Sequence, residues 1–432
     1  MELLSHHSRQ KYFENLQYVF VFFLPIAPKL LPLFIIAISL LWLLEGDFTS
    51  KVQSLKTSGL PWVFMSLYLV YLIGMSYTSN TLHGWKDLET KFTLLLFPLI
   101  YATSTSAKKV NFSLLLKSLV FGCSIAALYG LLSSTYLFIY ELYARANNIV
   151  LDTSYPYTNY FFSAYVSPFL HTGYFALYIN VSIAFLFFNL LFNNLEISVK
   201  LKRLFILLLV FLSVYNILLL SKIGLLSMIG VYLFLFFVWA KQRFNILKLT
   251  GIITLLLAGV IVIILALPKV RMNFENLIET TFYKNESELD SEDGAASRLV
   301  AWKTALDMVK IHFLTGVGTG DVKQTLTDEY KKLGYQNAYK IQLNSHNQYM
   351  QTTLAIGIAG LLALLLMIFI NFKKAIQNRN YLHLIFILLV SIQFFVEASL
   401  ETQAGVIFIS FFNSAFNFIF TNSESSIKTI PQ

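Results

Sequence analysis

"NSHNQYMQTTLAIGIAGLLALLLMIFI" (Asn344–Ile370) joins a short polar stretch to an apolar run. A helix needs about 20 apolar residues to cross the hydrocarbon layer, where each backbone N–H and C=O has to be paired within the segment. The run that starts at Thr352 satisfies that requirement. The chain has only 7 histidines, yet one of them, His346, stands with Asn347 at the mouth of this helix. What that histidine can do depends on which side of the membrane the mouth faces.

Working outward, comparable apolar runs recur near residues 12–27, 29–44, 60–77, 91–106, 112–140, 170–192, 203–221, 223–240, 249–268, 347–371, 381–399 and 403–421. Hydropathy counting therefore predicts about twelve membrane helices. Composition agrees: 56% of the 432 residues are hydrophobic, 13% are charged, and the mean hydropathy is +0.65. A water-facing shell needs more charge than that, so the fold expected is an all-α polytopic membrane protein. Pro25, Pro28 and Pro32 break one long apolar stretch into a tight hairpin of two helices. Arg9 and Lys11 precede the first run and no small-residue cleavage site follows, so that run reads as a retained helix. Cys123 is the single cysteine, which excludes an internal disulfide and a cysteine-based metal site.

Basic residues concentrate in alternate short connections: Arg9 and Lys11; Lys51 and Lys56; Lys108, Lys109 and Lys117; Lys200, Lys202 and Arg203; Lys241, Arg243 and Lys248; Lys373, Lys374 and Arg379. The positive-inside rule then puts both termini in the cytoplasm. These loops account for most of the net charge of +9, and no nucleic-acid partner is implied. The expected organisation is nine transmembrane helices in 1–268, a large periplasmic loop over 269–346, and three more helices with a cytoplasmic tail in 347–432.

The loop opens with "FYKNESELDSEDGAAS", an acidic solvated link with no EF-hand ligand spacing. Next comes "SRLVAWKTALDMVKIHF", with Ser297 as N-cap and Leu299, Trp302, Leu306, Val309 and Phe313 along one stripe of an amphipathic helix. Arg298 falls in its first turn, where a cation opposes the helix dipole, which suggests an anionic partner. The following "GVGTGD" reads as a helix stop with a tight turn, not a Rossmann or Walker loop, since no strand precedes it.

With the loop outside, His346 and Asn347 face the periplasm. Lys91, His171 with Tyr174, Lys222, and Glu397 with Glu401 fall at the same level, each at the end of a predicted span. A charge there is costly unless it meets a cavity or a partner. Two readings stand for these residues: a snorkelling lysine, an ion pair between Lys222 and a glutamate and a histidine bonded to a loop carbonyl, or an outward-opening charged pocket. Cations around one histidine suit a phosphate ester, arginine as a planar fork and lysine as a point charge. A histidine can also take a hydroxyl proton near neutral pH.

"SRLVAWKTALDMVKIHFLTGVGTGD" followed by "NSHNQYMQTTLAIGIAG" resembles the signature of the O-antigen ligase and polymerase superfamily of bacterial inner-membrane glycosyltransferases. The resemblance implies transfer of a glycan from undecaprenyl pyrophosphate to an acceptor, lipid A–core or another glycan, on the periplasmic face, with inversion and without metal or other cofactor. It implies that Arg298 binds the pyrophosphate with Lys222, and that His346 is catalytic; Lys91, at the same level, is read as a further cation for the pyrophosphate. His171, Tyr174, Asn347, Glu397 and Glu401 then support the acceptor or the site. Lys222 falls where many members have Ser–Arg, so a cation is kept and the fork is lost. Thr402 stands where related sequences often carry an arginine. A polymerase is the near alternative and a transporter or flippase of an anionic lipid the distant one, though no internal repeat is visible and the polar residues gather at one face.

Overall fold

The structure is a computed structural model; it describes residues 6–149, 160–192, 197–244 and 294–420, with isolated positions between 251 and 290. Among these residues the regular structure is helical throughout. Six helices are long and apolar enough to cross a membrane: Leu60–Tyr77, Phe112–Ala146, Thr172–Phe192, Val199–Leu218, Lys222–Lys241 and Gln348–Gln377. A seventh arises if Pro28–Leu44 and Phe48–Thr57, bent by 103°, form one span. Tyr381–Val396 and Gln403–Ile419 are shorter apolar helices. The run expected at 91–106 divides at Phe92 into Thr81–Lys91 and Thr93–Thr103, neither long enough to cross alone. The run at 249–268 lies outside the described residues apart from isolated positions. About twelve expected spans thus become six or seven helices of spanning length, with shorter apolar pieces between them.

The chain divides into two compact units: residues 1–17, 35–112 and 274–432 in one, and residues 18–34 and 113–273 in the other. In the second, Thr172–Phe192 packs against Val199–Leu218 and Lys222–Lys241. Asn180 Nδ2 donates to Gly224 O at 2.9 Å, and Asn216 Nδ2 to Asn180 Oδ1 at 3.0 Å, pairing these buried amides with each other. The Phe34 ring lies 5.6 Å from that of Phe23, so the chain folds back at the prolines as expected.

In the first unit the helices are capped by the residues before them. Asn347 Oδ1 accepts Met350 N at 3.0 Å, Asn380 Oδ1 accepts His383 N at 3.0 Å, and Asn80 Oδ1 accepts His83 N at 3.2 Å. Each cap satisfies a donor the helix itself leaves unpaired. The helix Gln348–Gln377 is broken where Ile356 and Gly357 leave helical geometry. The glycine-rich turn fills the break: Val317 N donates to Leu354 O at 2.8 Å, Gly318 N to Ala355 O at 2.9 Å, and Ile358 N to Phe313 O at 2.8 Å. A Cβ on Gly316 would fall 2.5 Å from the Ala355 carbonyl carbon, and one on Gly357, at φ +64°, would fall 2.2 Å from Leu314 O. "GVGTGD" therefore stops one helix and replaces the hydrogen bonds lost inside another. Asp321 pins the turn by accepting Ser79 N and Asn80 N, each at 2.7 Å.

The Arg298 helix spans Gly294–His312, so Ser297 lies inside it and is not its cap, and Arg298 falls beyond its first four residues. Its buried face is Ala296, Val300, Ala301, Thr304, Ala305 and Met308, whereas Leu306 and Phe313 of the expected stripe are exposed. This helix packs against Gln348–Gln377, with Ala296, Ala301 and Ala305 among the side chains it buries. Asp290, from the stretch read as a solvated link, accepts Asn337 N at 3.0 Å and Ala338 N at 3.1 Å at the start of the helix Gln336–Ile341.

Candidate functional site

Arg298 and Trp302 are four residues apart and so share one face of their helix. Arg298 Nη2 donates to Glu397 Oε1 at 2.6 Å, and its Nε to Val396 O at 3.3 Å. Trp302 Nε1 donates to His346 O at 3.0 Å. Glu397 is thus an anionic partner of Arg298, though not for the first-turn reason expected, and the other oxygen of the same carboxylate, Oε2, lies 3.2 Å from His346 Nδ1. Arg298, Glu397 and His346 form one cluster.

His346 has φ +44°, a left-handed conformation that side chains rarely adopt. Both its backbone groups are held: the N–H by Asn344 Oδ1 at 2.9 Å, the C=O by Trp302. Strain of this kind persists only where the surroundings fix it, and it concentrates at functional sites. Asn347 caps the next helix with Oδ1 while its Nδ2 donates to Phe395 O at 3.1 Å, joining that cap to the end of Tyr381–Val396.

Glu397 is buried, which by itself pushes its carboxyl up. The hydrogen bond and charge of His346 and the guanidinium of Arg298 outweigh burial and hold it at about 2. An ionised carboxylate only accepts hydrogen bonds, so Nδ1 of His346 carries the proton. In the neutral imidazole that leaves the lone pair on Nε2.

A second cluster adjoins the first. Lys91 is 0% exposed and pairs with Glu401 Oε2 at 2.9 Å and with Asp87 one turn before it, its ammonium 4.7 Å from the centre of the Tyr71 ring. Gln348 accepts Leu400 N at 2.6 Å and donates to Glu401 Oε1 at 3.4 Å, tying this cluster to the helix that follows His346. Burial raises the Asp87 acid against the pull of Lys91, with the charge of Glu401 adding to the rise, up to about 7. Asp87 and Gln348 were not among the residues singled out from sequence. The four-residue spacing of Asp87 and Lys91 was the available signal, whereas nothing local marks Gln348.

Of the residues expected at one level, the first unit brings together Arg298, His346, Asn347 and Glu397, with Lys91 and Glu401 beside them. His171, Tyr174 and Lys222 belong to the second unit. His171 precedes Thr172–Phe192, where its Nδ1 accepts Gly173 N at 3.3 Å, with buried Tyr174 6.0 Å from it ring to ring. Lys222 opens Lys222–Lys241 after Ser221, which caps that helix through Gly224 N at 3.2 Å.

Residues 206–365 match the family model described as O-antigen ligase. The match takes in Lys222, Arg298 and His346 and ends within the broken helix, while Lys91, Glu397 and Glu401 lie outside it. No curated protein matches the chain. A histidine and an arginine held on one buried carboxylate, among described residues that are helical throughout and include several helices of spanning length, thus fall in and beside a domain that is similar to the O-antigen ligase family.

Proposed function

We propose that the protein transfers a glycan from undecaprenyl pyrophosphate to an acceptor hydroxyl, that of lipid A–core, on the periplasmic face of the bacterial inner membrane, with both termini in the cytoplasm. The observation that carries this reading is the hydrogen-bonded series Arg298–Glu397–His346. Glu397 fixes the ring of His346, and Nε2 takes the proton from the acceptor hydroxyl. The acceptor oxygen then attacks the anomeric carbon. The bond from that carbon to the pyrophosphate oxygen breaks, its electron pair leaves with the pyrophosphate, and the configuration inverts. Pyrophosphate is a good leaving group, so charge stabilisation and an oriented acceptor matter more than a strong acid.

Arg298 binds the pyrophosphate, and Lys222 is assigned the same role on the family pattern alone. Lys91, enclosed by Asp87 and Glu401, contributes field rather than contact. Asn347, Glu397 and Glu401 hold the geometry, and His171 and Tyr174 are assigned to acceptor support on the resemblance.

The test uses purified protein in nanodiscs with radiolabelled undecaprenyl-pyrophosphate glycan, with and without lipid A–core, and the His346→Ala variant in parallel. Label on lipid A–core, lost by about a thousandfold in the variant, is the expected result. Longer glycans on the carrier without added acceptor would make the protein a polymerase. No transfer in either condition would overturn the glycosyltransferase reading.

A further inference from the structure

The first unit contains a cleft of about 390 Å³ that includes none of Arg298, Glu397 or His346 in its lining. Its floor is the pair of carboxylates of Asp87 and Glu401, both already engaged by Lys91 beneath them. Three carboxamides, Gln342, Asn344 and Gln351, line its wall. At its rim stand Lys86, Lys323 and His83, all exposed, and among the described residues no carboxylate forms an ion pair with either lysine.

Each of these features narrows what the cleft can hold. A volume of this size suits a small ligand. Carboxamides both donate and accept, which matches the hydroxyl groups of a sugar and not a hydrocarbon chain. With the floor carboxylates held by Lys91, and burial raising the Asp87 acid, the two rim ammoniums leave the cleft positive towards an incoming ligand.

Position supplies the rest. His346 is joined to Arg298 through Glu397, and to the cleft wall through Asn344, whose Oδ1 accepts its N–H at 2.9 Å. A donor anchored at Arg298 leaves the cleft for the other substrate. Resting on the reading of the protein as a glycan transferase, we propose that this cleft is a subsite for an acidic sugar of the acceptor glycan, one bearing phosphate or carboxylate, recognised by exposed Lys86 and Lys323 and by the amides of Gln342, Asn344 and Gln351 that line it. A neutral sugar would meet the amides and leave the two ammoniums unused.

Calorimetry on the full chain in phosphatidylcholine nanodiscs tests this with three probes: maltotriose, its 6-phosphate and trigalacturonate. The acidic probes should bind about tenfold more tightly than maltotriose, an advantage that shrinks as salt is raised. The double variant Lys86→Gln/Lys323→Gln should lose that advantage and keep its weak binding of maltotriose, and Lys86→Arg/Lys323→Arg should retain it. Preference for one acidic probe over the other identifies phosphate or carboxylate as the group recognised. Equal binding of all three probes, or an undiminished advantage in the glutamine variant, would overturn the proposal. The readout is binding, so it separates the two claims. Charge-selective binding in a protein without transfer activity leaves the subsite standing and removes the enzyme, and transfer without charge-selective binding does the reverse.

Discussion

Glu397 is the residue on which the cluster turns, since one carboxylate meets both Arg298 and His346. Replacing it with glutamine keeps the shape and removes the charge that fixes the His346 proton on Nδ1. Transfer by Glu397→Gln is expected to fall about a hundredfold, measured as initial rate at saturating donor. Stability gives an independent check with a defined sign. The folded carboxyl is held at about 2 against an ordinary value of 4.5, so its contribution is fully present above pH 4.5 and is lost as pH falls from there towards 2. The shift corresponds to about 3 kcal/mol. Thermal unfolding in detergent should therefore show the gap between wild type and Glu397→Gln closing across that acid window and constant above it. The four-residue spacing of Arg298 and Trp302 was readable in advance; their common destination was not, because Glu397 lies 99 residues from Arg298.

The broken helix is the element that sequence reading misjudged. "AIGIAG" reads as uninterrupted membrane helix, yet Gly357 leaves that geometry and the glycine-rich turn supplies the missing hydrogen bonds. Gly357→Ala puts a side chain at φ +64° and a carbon against Leu314 O, so it is expected to cost about 2 kcal/mol, measured as a lowered midpoint of thermal unfolding. Asp321→Ala leaves Ser79 N and Asn80 N without their carboxylate and should cost about 1 kcal/mol in the same assay. Both changes should also reduce transfer without touching His346, because the turn and the helix after His346 are hydrogen-bonded into one piece. The Arg298 helix carries a related lesson. Counting large apolar residues located an amphipathic helix but placed its buried face only in part, since Leu306 and Phe313 are exposed while Ala301, Thr304 and Ala305 are buried.

For the whole molecule, the prediction is topological. Cys123 is the only native cysteine and is buried, so a Cys123→Ser background suits accessibility mapping. A cysteine at exposed Lys323 should react with a membrane-impermeant maleimide on spheroplasts, whereas one at exposed Arg379 should react only after the membrane is opened. The opposite pattern would invert the chain in the bilayer and with it the side on which the proposed reaction runs.

The sequence by itself determined that the chain is a helical protein with several apolar helices long enough to cross a membrane, though not how many, and which residues a family pattern picks out. Those properties follow from local quantities: runs of apolar residues long enough for the bilayer and motif spacing within a few turns. Only the tertiary structure decided that one carboxylate holds both Arg298 and His346, that Lys91 is enclosed by two acids, and that the glycine-rich turn completes a broken helix. Each of these depends on groups far apart in the chain being desolvated together. A buried polar or charged group is tolerable only when its partner is in place, and no local pattern names a partner that the fold has yet to bring near.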